Sequence, residues 1–410
     1  MSVRLLLPLL ALVLATASPA QAAGTAPLSF AAAEGLLLEA NPDIQQARTA
    51  LLAARAGTQM AGVSPNPVLS VGVSSINPAR KGSGGYWDRP FDNLVRLDQQ
   101  LERGDKRTHR LRAAGSNLSA TQADLDNTIR LARLDLANTW LDLLAGGEVA
   151  RIARENARLA ARTAEAASLR GKAGDLAGVD VARFEADAAR VANDARLAEL
   201  AQTRARIALA LLLGNQIPAD QLETDGQWPE APGPAAEPGE RPDLLAARRR
   251  LEQADALREV ARAQRTRDVS VGIQYEHYPP EGRNTFGVSI SVPLLTGNDY
   301  RGDIARSEAD YTAAGQQLSA TQAAIQAERA RLQSDHAARQ ERYQRLREVA
   351  LPAAERAGRG AEAAIQKGGM SLTDYLDTQR TLRAARIETV QARADLARSA
   401  ISLRLAGAAE

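Results

Sequence analysis

The sequence predicts a mainly helical chain with a small transmembrane β part, laid out as two copies of one unit. Three observations predict it. Landmark residues recur at a spacing of about 200, two helical patterns run for ~65 residues, the first without a proline, and four short segments alternate with period two. Composition agrees. Of 410 residues, 45% are hydrophobic but only 3% aromatic, and alanine dominates the apolar count. Such a chain suits long helices whose backbones approach closely, rather than one large core filled by rings.

The chain opens with a positive residue, Arg4, then the apolar run Leu5 to Ala15 and the small-x-small site Ala20-Gln21-Ala22. Residues 1–22 read as a secretory signal peptide, too short and wrongly flanked for a membrane-spanning helix. No later segment reaches the ~18–20 consecutive apolar residues of such a helix. There is no cysteine, hence neither a disulfide framework nor a thiol for lipid attachment. Net charge is +2 with the two signs interspersed, so the basic face that nucleic acid requires is missing.

The first repeat covers 23–214 and the second 241–410. Asn41-Pro42-Asp43-Ile44 matches Arg241-Pro242-Asp243-Leu244, each placing proline in the first turn of a helix. Gly104 matches Gly297, Lys172-Ala173-Gly174 matches Lys367-Gly368-Gly369, and Leu212-Leu213-Gly214 matches Leu405-Ala406-Gly407. The run Leu118 to Ala123 recurs verbatim at Leu318 to Ala323, one heptad out of register with these, and the glycine landmarks set the alignment. Residues 215–240 hold five prolines and three glycines and read as an irregular connector.

From Asp105 to Arg170 apolar positions recur at three, four and seven, for example Leu118, Leu125, Ile129, Leu136 and Leu143. A helix of that length spans on the order of 100 Å. The pair Gly146-Gly147 is expected to break or kink it. Tyr300 to Gln366 repeats the feature with a kink expected at Pro352, and returning helices follow from Val179 to Leu213 and from Leu372 to Leu405. The rods alone also suit a soluble periplasmic coiled-coil or adaptor protein.

The alternating segments lie at about 67–76, 93–102, 268–277 and 285–294. Leu69, Val71 and Val73 oppose Ser70, Gly72 and Ser74; Val95 and Leu97 oppose Arg96 and Asp98. In the second repeat Val271, Ile273 and Tyr275 oppose Gly272, Gln274 and Glu276, and Phe286, Val288 and Ile290 oppose Gly287, Ser289 and Ser291. One apolar and one small or polar face is the pattern of a lipid-facing barrel strand. Seven of the 14 aromatic residues, among them Tyr86, Trp87, Tyr275 and Phe286, sit in or beside these segments, as interfacial rings do. Four strands cannot close a barrel and open edges are not tolerated in lipid, so several chains must share one.

Two repeats of helix, strand, strand, long helix, tip turn and returning helix resemble the TolC-like outer-membrane efflux proteins over nearly the whole chain. The clearest local motifs are the tip turns at 171–179 and 367–373, each with a glycine six residues before an aspartate: Gly174 to Asp180 and Gly368 to Asp374. There glycine supplies a left-handed turn, and Asp or Thr is expected to cap the next helix. Leu101-Glu102-Arg103-Gly104-Asp105-Lys106-Arg107 resembles the heavy-metal branch typified by CzcC, which usually has a second glycine where this chain has Asp105. The resemblance implies a homotrimer whose twelve strands form an outer-membrane barrel continued by an α-helical tunnel. It also implies a periplasmic adaptor at the tip turns (Gly174, Asp180, Gly368, Gly369) and an inner-membrane pump of the RND type. Asp374 and Asp377 take the places of acidic residues that ring the periplasmic gate, and metal cations are one candidate cargo.

No enzyme site assembles. His109, His277 and His336 stand apart, without zinc-ligand spacing. No phosphate-binding loop ending in Lys-Ser or Lys-Thr occurs. The expectation is a passive duct with no catalytic residue, resident metal or cofactor, driven by a partner.

Overall fold

The computed structural model describes residues 27–76, 91–229, 240–278, 283–294 and 296–407. The expected signal peptide, Tyr86, Trp87 and most of the proline-rich part of the connector lie outside them. In chain order the elements are α1 (Phe30–Ala40), α2 (Pro42–Ala61), β1 (Val68–Ser74), β2 (Asp92–Leu101), α3 (Lys106–Lys172), α4 (Gly178–Leu212), α5 (Pro242–Ala263), β3 (Val269–Tyr278), β4 (Arg283–Ser291), α6 (Arg301–Arg345), α7 (Leu351–Gln366) and α8 (Leu372–Leu405).

The rods are real and longer than any core they could fill. Helix α3 has 67 residues, on the order of 100 Å at about 1.5 Å per residue. It continues through Gly146 and Gly147, so the chain does not break there. The glycines have another cause. A Cβ on Gly146 would lie 3.5 Å from the Gln202 backbone, and one on Gly147 3.3 Å from the Gln202 amide. They let α3 and α4 pack closely along their length. The second rod runs from Arg301 to Gln366 with a single π turn at Leu346–Ala350, directly before Pro352. Proline lacks the N–H that would continue the α ladder, and the widened turn absorbs the loss.

Each rod starts from a residue in the left-handed conformation. Gly104 (φ +73°) is followed by Asp105 (φ +53°), and Tyr300 (φ +61°) precedes α6. Asp105 therefore adopts a glycine-like backbone where the heavy-metal branch usually has glycine, and aspartate is among the residues that tolerate it.

The main core lies where α1 and α2 meet the middle of α3 and the end of α4. Leu37, Ile44, Leu136, Trp140, Leu209, Leu213 and Leu222 are fully buried there. Asn41 fastens the joint. Its Oδ1 accepts the N–H groups of Asp43 and Ile44 at 3.1 Å, and its Nδ2 donates to the Leu212 carbonyl at 3.0 Å. The connector is more than a link. Leu222 is buried, Ile217 and Trp228 pack on the same core, and Leu28 pairs with Thr224. At the start of α5 the joint uses charge instead: Arg241 donates to Asp243 (2.7 Å) and Glu328 (2.9 Å). Burial works against ionisation of Asp243, but the Arg241 guanidinium outweighs it and holds the carboxyl below its ordinary range.

The four strands form one antiparallel sheet in the order β1-β2-β3-β4, so the central pair, β2 with β3, joins the two strands before α3 to the two before α6. Register aligns the alternation across all four. Val71, Val95, Tyr275 and Phe286 lie in one row, and Leu69, Leu97, Ile273 and Val288 in the next. These rows are apolar and bare, with Phe286 83% exposed, Val288 77% and Val71 72%, and the rows on either side add Gln99 and the Asn93-His277-Asn284 set. The opposite face carries rows such as Ser70, Arg96, Gln274 and Gly287. Strands β1 and β4 are the edges of the sheet. Among the described residues no helix is long and apolar enough to cross a membrane.

Candidate functional site

At the far end of the rods two turns sit side by side. Helix α3 stops at Lys172 because Gly174, at φ +85°, swings the backbone left-handed. The N–H of Asp175 then bonds the Arg170 carbonyl (2.9 Å), and that of Gly174 bonds the Gly171 carbonyl (3.1 Å). Helix α7 ends the same way: Gly368 has φ +73°, Gly369 N–H bonds Ala364 O (2.9 Å) and Gly368 N–H bonds Ile365 O (3.3 Å). Both are Schellman-type C-caps.

The two glycines of the second turn are not equivalent. A Cβ on Gly368 would meet nothing within 4 Å, but its φ is left-handed. Gly369 has an ordinary φ, and its Cβ would touch only the Ala364 carbonyl at 3.8 Å. Gly368→Ala should therefore cost about 1–2 kcal/mol, and Gly369→Ala close to nothing. Urea unfolding of the two variants checks this, and equal losses would contradict it.

The helices that leave the turns are capped differently from the sequence expectation. Ser371 caps α8: its Oγ accepts the Asp374 N–H at 3.2 Å and donates to Asp374 Oδ2 at 2.7 Å. Asp374 is thus the third residue of the helix, not its cap. Thr373 does not cap it either. Ala177 stands at the cap of α4 and makes no side-chain bond. Asp180 is likewise third in its helix, paired with Arg183 at 3.4 Å. An acid in the first turn is favoured by the helix dipole, by roughly 0.3–1 kcal/mol. Asp374 and Asp377 are both exposed, three residues apart on one face of α8, while Tyr375 and Leu376 between them are buried.

What the sequence did not reveal is how the two turns are tied together. Ala164, Ala167, Phe184, Ala361, Tyr375 and Leu376 form one small core beneath both. Beside it Asp187 on α4, 5% exposed, accepts from Arg383 on α8 at 2.9 Å and from Arg190 at 3.2 Å, with Arg380 at 3.5 Å. Burial pushes the Tyr375 phenol above its ordinary range, with the nearby Glu362 charge adding to it, so the ring stays neutral in this core. The histidines remain apart: His336 meets the Ser399 hydroxyl (3.0 Å) and His277 the Asn284 amide oxygen (2.7 Å). Among the described residues no three His, Asp or Glu side chains gather as a metal-holding group.

Paired rods, a shared tip and a sheet with one bare apolar face are the parts of an export channel, and comparison with known proteins decides it. The family model for outer membrane efflux proteins matches residues 35–215 and 238–408. The chain belongs to the outer membrane efflux protein family. It is 27% identical over 374 residues to the cobalt-zinc-cadmium resistance protein CzcC of Cupriavidus metallidurans, covering 90% of this chain and 87% of that one. It is 28% identical over 298 residues to the pyoverdine export outer membrane protein OpmQ of Pseudomonas aeruginosa, covering 69% and 62%. The solved outer-membrane channel OprN superposes with a TM-score of 0.79 at 22% identity, covering 92% of this chain and 89% of that one. The protein is accordingly an outer-membrane efflux channel with its helical part in the periplasm, and not the soluble coiled-coil or adaptor protein that the rods alone would also suit. Proteins of this family work in tripartite systems with an adaptor and an inner-membrane pump.

Proposed function

We propose that three copies of this chain close a twelve-stranded barrel in the outer membrane and continue it as a helical tunnel through which metal cations leave the cell. The observation that carries the barrel is the sheet itself. Its apolar face is bare, its opposite face is polar, and β1 and β4 are edges. In lipid such edges must be paired, and the β4 of one copy and the β1 of the next supply each other's partner. In this reading the two repeats are 23–214 and 241–410, with 215–240 as their connector. The tip turns at Gly174 and Asp180 and at Gly368 and Gly369 receive the periplasmic adaptor. A pump of the RND type drives the export.

Asp374 and Asp377 form the gate. Threefold symmetry turns an exposed pair on one helix face into two stacked rings of three carboxylates, and such rings favour cations over anions. The name of CzcC, the relative covering most of both chains, supports metal ions as cargo. The double variant Asp374→Ala/Asp377→Ala is expected to lower the cation-to-anion permeability ratio several-fold in planar bilayers under a salt gradient. An unaltered reversal potential would overturn the gate assignment. Wild-type cells are expected to tolerate cobalt, zinc or cadmium better than cells lacking the protein; equal tolerance would remove metal from the proposal and leave the duct.

A further inference from the structure

The polar face of the sheet carries an arrangement that the gate does not use. Arg96 and Asp98, two residues apart on β2, lie on this face with Ser289 of β4. Arg96 Nε and Nη2 both donate to Asp98 Oδ1, at 3.0 and 2.8 Å, and Nη2 also donates to Ser289 Oγ at 3.0 Å. The strand between them makes room. Gly272 is buried, and a Cβ there would fall 2.3 Å from Asp98 Oδ1 and 2.6 Å from Ser289 Oγ. On the neighbouring row a Cβ at Gly287 would fall 2.9 Å from the Gln274 side chain. Both charged groups lie partly covered, 32% and 24% exposed.

Physical reasons make this more than a surface ion pair. A free arginine on a wall would extend into the water of the channel. Here its fork is occupied from two sides, and the carboxylate that holds it is seated over a glycine. The net charge of the pair is zero. Ser70 and Gln274 stand opposite Arg96, and Val68 and Gly272 opposite Asp98; the adjoining rows hold Gly72, Leu94 and Glu276 on one side and Gln100, Ser270 and Ser291 on the other.

We propose that Arg96 and Asp98 set the charge selectivity of the barrel by cancelling each other. Three copies place three neutral pairs around the lumen, so this level of the wall favours neither sign of cargo. The inference rests on the reading of this face as the lumen wall. It assigns the two residues a specificity role: loss of either partner turns the ring into three uncompensated charges.

The absence of cysteine from the chain gives a direct test. Ser70, paired with Arg96 across β1 and β2 and exposed, takes a reporter cysteine, Ser70→Cys. The readout is the ratio of modification rates by a negatively and a positively charged methanethiosulfonate in outer-membrane vesicles. Adding Asp98→Asn is expected to raise the ratio by roughly 3- to 10-fold in low salt, from one uncompensated charge a few ångströms away. Adding Arg96→Gln is expected to lower it by a similar factor, and both together to restore the starting value. Ratios unmoved by either single change overturn the proposal. A separate reporter, Val288→Cys, tests the underlying face assignment. It is expected to react with neither charged reagent, and a reactive Val288→Cys beside an unreactive Ser70→Cys would mean that the faces are reversed.

Discussion

Val288→Arg is expected to remove the protein from the outer membrane. Val288 stands in the middle of β4, 77% exposed, in a row with Ile273, Leu97 and Leu69. An arginine at the lipid midplane costs about 2–4 kcal/mol per chain, which a trimer meets three times over. The total rivals the 5–15 kcal/mol that typically separates a folded domain from its unfolded chain. The control is Ser291→Arg, on the opposite face of the same strand, where a charge meets water and should be tolerated. Immunoblots of separated membranes read both. Equal amounts of the Val288 variant and wild type in the outer membrane would undo the facing of the sheet.

Asp187→Ala is expected to produce the largest loss of stability at the tip, about 3 kcal/mol or more. Asp187 is 5% exposed and its partner Arg383 14%. Removing the carboxylate strands a buried guanidinium whose Nη1 already has no partner. The two hairpins, held otherwise by Phe184, Tyr375, Leu376 and their small neighbours, should then separate more easily. Denaturant midpoints of the detergent-extracted protein measure the cost. The double variant Asp187→Leu/Arg383→Met should recover most of it, because an apolar pair needs no compensation. A single variant within 0.5 kcal/mol of wild type would mean that the pair does not bind α4 to α8.

The fold class was legible because its two periodicities are simple. A spacing of three and four over more than 60 residues admits nothing but a rod, and alternation assigned Val71, Val95, Ile273 and Val288 to one face before any pairing was known. What escaped the sequence depends on which partner a residue meets. Gly146 and Gly147 are compatible with a break or with close packing, and only the continuity of α3 and the position of Gln202 on α4 select the second. The connector looked irregular, and it is, but irregular backbone does not forbid Leu222 and Trp228 from joining a core. A capping residue cannot be chosen until the first helical residue is known; Ser371 precedes Asp374 and takes the role. The Asp187–Arg383 pair spans 196 residues, and nothing local separates Asp187 from the solvated acids around it. Asp105 shows the reverse case: a departure from a glycine pattern that the left-handed backbone still accommodates.

The central claim is that four strands from each of several chains make one membrane wall. The mass of the mature protein, extracted gently in detergent from purified outer membranes, tests it most directly. A species of three chains, resistant to urea washing of the membrane, is the predicted result. A single chain recovered from the soluble periplasmic fraction would contradict it, since the bare apolar face would then have no lipid to meet.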